Sequence, residues 1–331
     1  MGIKNLNGKR VLFVAPRFFS YEIDIKSELE RRGAIVDWLP DRPYDTPVLK
    51  ALTSLSPSWI LPFADRLYEQ LLNNFSAQHY DIILVINGQT LSRSTLTRLR
   101  ATYPQSRFVL YMWDSIANRK HVQYNLAHFD RICTFDPTDA KQYGMVLRPL
   151  FYGHGFETPT VPSSTQYHIS FIGTAHTDRF QVVNSLRKKL SNDISSYWYL
   201  YLQAPWVFQY YRLTRPAMRE AKQEDFHFKP LEKRMLHTLF ANSHTVLDIE
   251  HPNQVGLTMR TFETLGSGKK LATTNMEVRN YDFFSEQNIC IIDRKSPFIP
   301  HDFLVTPFEP LAESIRKRYS IEGWIDELLE L

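Results

Sequence analysis

The chain has 331 residues, a length that suits two domains better than one or three, and its 43% hydrophobic and 22% charged residues are ordinary globular proportions that supply a sizeable core. Its 39 basic and 35 acidic residues are interspersed, so the net charge of +4 argues against a nucleic-acid binder and is compatible with an anionic substrate or an acidic membrane surface. Neither of its two cysteines, Cys133 and Cys290, sits in a C-x-x-C pair, which leaves no zinc or redox signature; no apolar run approaches a membrane span, and M-G-I-K-N-L-N-G-K-R lacks a signal-peptide core.

Taken in order, Lys9–Ala15 reads as a buried first strand ended by Pro16. Ser20 to Arg32 follows as a helix with Tyr21, Ile25 and Leu29 on one face and Gly33 as its stop. Ala34–Leu39 is the second strand, so the chain opens β-α-β, with Arg17-Phe18-Phe19-Ser20 at the ligand edge and no G-x-G-x-x-G fingerprint. Residues 40–58 read as a loop with a short helix, and Ser58–Phe75 as an amphipathic helix packed on the core, with a membrane-surface role as the minor alternative. Asp81–Ile86 is a strand feeding the polar loop Asn87-Gly88-Gln89-Thr90, and Ser92–Tyr103 is a helix. Arg107–Trp113 delivers Asp114, and Asp130–Phe135 delivers Asp136 before a short helix from Pro137 to Gly144; Val146–Tyr152 closes the half. Arg17, Asn87, Gln89, Asp114 and Asp136 thus line one edge. Asp114 beside Trp113 is a candidate general base if the indole desolvates it; the structural alternative makes Asp114 and Asp136 helix N-caps.

Gly153–Gln166, rich in Gly, Pro, Ser and Thr, is the best domain boundary. A second β-α-β start follows: strand Tyr167–Ile172, then Gly173-Thr174-Ala175-His176, then a basic helix Phe180–Leu190 with Arg179 at its start. Tyr197–Leu202 is a strand. Pro205–Lys222 is basic and aromatic; it reads as a helix or excursion packed on the domain, with a lipid surface or a partner as the alternative contact. After F-H-F-K-P, Glu232–Ala241 is a helix. Tyr281–Phe284 and Asn288–Ile292 supply the last strand, and Phe308–Leu331 is helical with a break near Ser320–Gly323.

The stretch Thr245–Asn275 concentrates the chemistry. Val246-Leu247-Asp248-Ile249 is a buried strand, Pro252 and Gly256 lie in a polar loop, Thr258 is the N-cap of a helix to about Leu265, and Lys270–Thr274 is the next strand. Ligands of parallel sheets sit beyond the strands' carboxyl ends, where such a helix begins. Gly256 permits close backbone approach, the helix N–H groups suit a phosphate, and Arg260 and Glu263 share a face, placed for a phosphate and for ribose hydroxyls. An ordinary surface ion pair on a crossover helix is the alternative. Asp248-Ile249-Glu250 mimics the D-x-D spacing of metal-dependent transferases, but Asp248 lies inside the apolar run, so no metal site is expected.

These pieces together resemble the two-Rossmann (GT-B) glycosyltransferases. The specific likeness lies in I-S-F-I-G-T at 169–174, F-K-P-L at 228–231, T-V-L-D-I-E, and G-L-T-M-R-T-F-E-T-L-G-S-G-K-K-L-A-T-T-N, which is similar to CgeB-type and related lipopolysaccharide or capsule glycosyltransferases. It is sharp over about Phe226–Asn275 and architectural elsewhere, with Y-M-W-D-S and T-F-D-P as looser matches.

The resemblance implies an α/β chain of two Rossmann-like domains facing across a cleft: residues 1–155 for the acceptor, 156–307 for the nucleotide sugar, and a helical segment 308–331 crossing back. It implies donor contacts from Gly173, Thr174, His176, Lys229 and Gly256-Leu257-Thr258, with Arg260 on the diphosphate and Glu263 on the ribose. Catalysis would use Asp114 as base and Glu250 near the developing positive charge. Retaining relatives carry a further glutamate where this chain has Val255, so retention and inversion both stay open. The implied substrates are a nucleotide sugar and a saccharide or lipid-linked acceptor of bacterial surface polysaccharide. No cofactor is implied, and the protein would be cytoplasmic or peripheral at the inner membrane. Alternatives are an epimerase or hydrolase with the same pocket, and a sugar-nucleotide-binding subunit without turnover.

Overall fold

The computed structural model describes residues 5–41, 57–73, 79–157 and 165–331. Most of the expected loop at 40–58 and half of the linker at 153–166 fall outside these residues. By internal packing the chain divides into two units, the first comprising Met1–Gly153 with Ile321–Leu331 and the second His154–Ser320.

In the first unit the elements are β1 (Arg10–Ala15), α1 (Tyr21–Arg31), β2 (Ile35–Pro40), α2 (Pro57–Asn73), β3 (Ile82–Ile86), α3 (Arg93–Thr102), β4 (Arg107–Met112), a 3-10 segment Lys120–His128, β5 (Arg131–Thr134), α4 (Pro137–Tyr143) and β6 (Val146–Leu147). The strands pair in parallel in the order β2-β1-β3-β4-β5-β6. R-V-L-F-V-A and I-I-L-V-I are nearly continuous apolar runs because both faces of an all-parallel sheet are covered. Ala64 and Tyr68 of α2 are buried in the core beside β1 and β3, so this helix is a packing helix. Gly33 follows α1 at φ 90°, and a Cβ there would stand 2.6 Å from Asn7 Oδ1, which explains the stop.

The second unit contains β7 (Tyr167–Thr174), α5 (Arg179–Arg187), β8 (Ser196–Tyr201), α6 (Pro205–Thr214), β9 (Phe226–His227), α7 (Lys233–Ala241), β10 (Ser243–Asp248), α8 (Met259–Gly266), β11 (Lys270–Thr273), β12 (Ile289–Ile291), α9 (His301–Val305) and α10 (Glu313–Tyr319). Its strands are also parallel, in the order β12-β11-β10-β7-β8-β9. Tyr281–Phe284, expected to extend the last strand, is a turn instead. Phe283 leaves the sheet to pack against Phe262 and Tyr319, with ring centroids 5.9 and 5.0 Å away, and that burial decides the conformation of an aromatic run.

The chain then returns to the first unit through α11 (Ile321–Leu329), as expected of a helix crossing back. Ile321, Trp324, Ile325, Leu328 and Leu329 are buried, and Trp324 lies against Tyr111 and Phe151 at centroid distances of 4.8 and 4.7 Å. Arginines hold its polar side. Arg32 pairs with Asp326 and donates to the Glu322 carbonyl at 2.8 Å. Arg107 and Arg131 donate to the Leu329 and Glu327 carbonyls at 2.8 and 2.9 Å, satisfying acceptors that a helix end leaves open and complementing its dipole. The break before α11 falls at Ser320, inside the expected window.

Candidate functional site

In each sheet the strand order reverses once, between β1 and β3 in the first and between β7 and β10 in the second. Open α/β sheets bind ligands at such switch points, beyond the strands' carboxyl ends. In the second unit the loops that meet there are 175–178, after β7, and 249–258, after β10. Arg179 ties them together: its Nε donates to the Ile249 carbonyl at 2.7 Å and its Nη1 to the Thr174 carbonyl at 3.2 Å. Burial lowers the Arg179 pKa, opposed by the nearby Asp248 carboxylate. Gly173 makes room for this arginine, because a Cβ there would lie 2.9 Å from the Phe171 ring and 3.4 Å from Arg179 Nη1.

Glu250 is buried one residue beyond Ile249, with both oxygens engaged. Thr274, just past β11, donates to Oε2, and Arg294, just past β12, donates to Oε1 and, at 2.7 Å, to the Glu250 carbonyl. Arg294 also holds both Asp178 oxygens at 2.9 and 3.0 Å. Burial works against the Arg294 charge, but Glu250 and Asp178 more than offset it, and its pKa is raised. One guanidinium therefore joins the loops after β7, β10 and β12. Arg294 carried no sequence signal, since D-R-K-S reads as an ordinary surface turn and only the strand order brings it to Glu250.

The helix α8 starts where Thr258 was expected to cap it, with Thr258 in extended conformation at the N-cap. The Thr258 side chain does not cap. Its hydroxyl donates to Asp248 Oδ2 at 2.6 Å, joined there by Thr261 at 2.8 Å, so the first turn's amides are not taken by a capping side chain. Asp248, the apparent first member of a D-x-D pair, is thus a buried brace for the helix start. From Thr261 to Gly266 α8 is buried all round, while Thr258, Met259 and Arg260 keep partial exposure. Glu263 is 1% exposed and accepts from Arg260 at 2.8 Å, and the Arg260 guanidinium lies over the Phe240 ring at 5.0 Å. Gly256 and Leu257 are buried in the preceding loop, which Asn275 holds by donating to the Val255 carbonyl at 3.1 Å.

His176 and His251 face each other across the switch point, ring centroids 6.2 Å apart. Burial first, then Arg179, His251 and Arg215, depress the His176 pKa from 6.5 to about 4. The folded state therefore keeps His176 neutral where the unfolded chain takes up a proton, so stability falls as pH drops from 6.5 towards 4. His121 and His244 are lowered by burial and act in the same direction. His176→Gln is expected to give a shallower decline of melting temperature over this window; an unchanged profile would remove His176 from the account. Lys229 stands apart beyond the sheet-edge strand β9, its side chain exposed and its carbonyl accepting from Tyr199 at 2.7 Å.

In the first unit, Arg17 lies exposed over Trp38 at 5.3 Å, and the following Phe19 and Ser20 hold positive φ of 50° and 64°, a costly conformation for non-glycine residues. Asn87, also at positive φ, is buried and accepts from Trp113 N at 3.0 Å; Gln89 is buried, and His121 Nε2 donates to its carbonyl. Arg17, Asn87 and Gln89 thus sit at this sheet's switch point, with the two amide residues built into its frame. Asp136 is a helix cap, its Oδ1 accepting from the Thr138 and Asp139 amides at 2.8 and 3.3 Å. Asp114 is not isolated against the indole: Arg119 pairs with it at 2.9 Å and Asn118 donates at 2.8 Å. Asp139 has its pKa raised by burial and by repulsion from Asp136 and Asp114, although its Oδ2 accepts from Ile116 N at 2.7 Å. Nothing in its position inside a helix marked Asp139 beforehand.

Two parallel sheets with surrounding helices and a final helix returned to the first unit define a chain of two-Rossmann, GT-B architecture. Solved structures of that architecture match along nearly its whole length. An α,α-trehalose-phosphate synthase (UDP-forming) from Burkholderia vietnamiensis superposes with a TM-score of 0.61 at 11% identity, covering 98% of this chain and 100% of that one. HepE from Anabaena, in complex with UDP and glucose, gives 0.58 at 13% identity, covering 97% and 98%. The catalytic domain of starch synthase IV from Arabidopsis thaliana, bound to ADP and acarbose, gives 0.51 at 10% identity, covering 98% and 96%. At these identities the likeness establishes the fold. No protein-family model and no curated protein matches the sequence.

Proposed function

We propose that the chain is a glycosyltransferase that takes a sugar from a nucleotide-sugar donor, held at the switch point of the second unit, and delivers it to a saccharide or lipid-linked acceptor. The observation that carries this reading is the enclosure of α8 everywhere but its first turn, where no side chain caps the amides and Thr258, Met259 and Arg260 keep partial exposure. That arrangement suits a diphosphate.

Glycosyl transfer requires stabilisation of the departing nucleotide's charge, and in this reading the α8 amides and Arg260 supply it. Glu263 orients Arg260; the ribose contact implied by the resemblance requires Arg260 to swing from it. Glu250 acts by holding Arg294 in place, so that the loops around the sugar do not move during reaction. Asp114 in the first unit is the proposed base for the acceptor hydroxyl. The family resemblance supports an acceptor of bacterial surface polysaccharide and work on the cytoplasmic side, where nucleotide sugars are made. Among the described residues no helix is long and apolar enough to cross a membrane.

A thermal-shift panel of UDP-, GDP-, dTDP- and CMP-linked sugars tests the reading. One nucleotide is expected to stabilise the protein, Arg260→Ala to weaken it about thirtyfold, and Asp114→Asn to keep nucleotide binding while losing turnover. Turnover is expected to persist in EDTA. Failure of every nucleotide to bind would sink the proposal, and sugar release without any acceptor would turn it into a hydrolase.

A further inference from the structure

We propose that the outer face of α6 docks on an anionic lipid bilayer. The helix P-W-V-F-Q-Y-Y-R-L-T is apolar on two sides. Val207 and Phe208 are buried in the core of the second unit, where Phe208 packs on Phe226 at 5.2 Å. On the opposite side Trp206, Tyr210 and Leu213 are 71, 57 and 84% exposed. Their spacing of four and three residues stacks them on one face. A helix with two apolar faces calls for an apolar medium on both, and only one face has it here.

The charges on α6 and on the segment that follows it identify the occupant. Arg212, Arg219 and Lys222 are exposed and make no ion pair among the described residues, and Arg215 is stacked over Tyr211 at 3.6 Å. The nearby acids Glu220 and Asp225 are drawn to Lys188 and Arg187, at 3.0 and 3.1 Å, which leaves Glu224 as the acid of the segment without an ion pair among the described residues. A tryptophan and a tyrosine at headgroup depth, a leucine below them and a rim of arginine are what an interfacial helix presents to phosphate headgroups. A protein partner's apolar groove would match the three side chains but gives no reason for the unpaired basic rim. Arg215, at the end of α6, is close enough to His176 to act on its charge, so the C-terminal end of α6 lies near the switch point.

Flotation of the full chain with vesicles of phosphatidylcholine, with and without phosphatidylglycerol, tests the assignment without needing any activity. The protein is expected to float with the anionic vesicles and to release at high salt. Trp206→Ser/Tyr210→Ser/Leu213→Ser and Arg212→Glu/Arg219→Glu are each expected to bind roughly tenfold more weakly, with unchanged melting temperature because the residues are exposed. Brominated acyl chains are expected to quench tryptophan fluorescence in the wild type and much less in Trp206→Phe. Absence of the wild type from the floating fraction would overturn the proposal, and so would equal binding by the triple serine variant. A wild-type dimer that the triple variant converts to monomer would assign the face to a second copy instead.

Discussion

Trp324→Ala is expected to destabilise the first unit by about 4 kcal/mol, lowering its melting temperature by roughly 10 °C. The indole is fully enclosed between Tyr111 of β4 and Phe151, so truncation removes a large apolar surface and leaves a cavity against a sheet that cannot collapse into it. Arg32, Arg107 and Arg131 hold the helix from outside and would keep it in place, which prevents relaxation from recovering the loss. Trp324→Phe serves as the control. Among the described residues the indole Nε1 has no hydrogen-bond partner, so phenylalanine gives up area but no polar contact, and the cost is expected to fall to about half. Chemical denaturation followed by circular dichroism measures both. A loss under about 1 kcal/mol in Trp324→Ala would show that α11 does not complete this core.

Arg294→Met is the second large effect. It strands the buried Glu250 carboxylate and Asp178 together, and removing one member of such a group is worth about 3 kcal/mol of stability, somewhat less here because Arg294 retains some exposure. In Arg294→Met/Glu250→Gln the more buried of the two stranded charges is gone while Asp178 keeps its own, and about half the loss should return. Loss of Arg294 also frees the loop after β12 from those after β7 and β10, which Arg179 still ties together, so nucleotide binding should weaken along with stability. Arg260→Ala, by contrast, should weaken nucleotide binding more than it affects the loops. Melting curves with and without nucleotide separate the two. Wild-type stability in Arg294→Met would mean that Glu250 and Asp178 find other partners.

Much of this architecture can be read from local pattern. Apolar runs such as I-I-L-V-I, the Gly33 stop and the break at Ser320 state their roles through their neighbours, and the structure places them accordingly. Thr258 also occupies the expected N-cap, yet its hydroxyl turns to Asp248, a choice set by a residue ten positions earlier on another element. Arg294 was illegible for the same reason, since only the sheet order sets it beside carboxylates distant in sequence, and Asp139 in part, since burial and the distant Asp114 add to its neighbour Asp136. Tyr281–Phe284 misled because an aromatic run suits a strand and a core contact equally well, and packing on Phe262 decides between them. Asp114 and Asp136 show the remaining difficulty. An aspartate at a strand's end looks alike whether it caps a helix, pairs with an arginine or faces a substrate.

The return of α11 to the first unit gives the chain an order of assembly. The second unit is one unbroken stretch, whereas the first is interrupted by it and closes only with residues from Ile321 onward. On a ribosome, a sheet whose six strands have all emerged must wait for roughly 170 further residues before Trp324 reaches Tyr111, a delay of about ten to thirty seconds at ordinary elongation rates. During that interval the pocket for the indole is bare, and the nascent first unit is the part of the molecule that chaperones would meet.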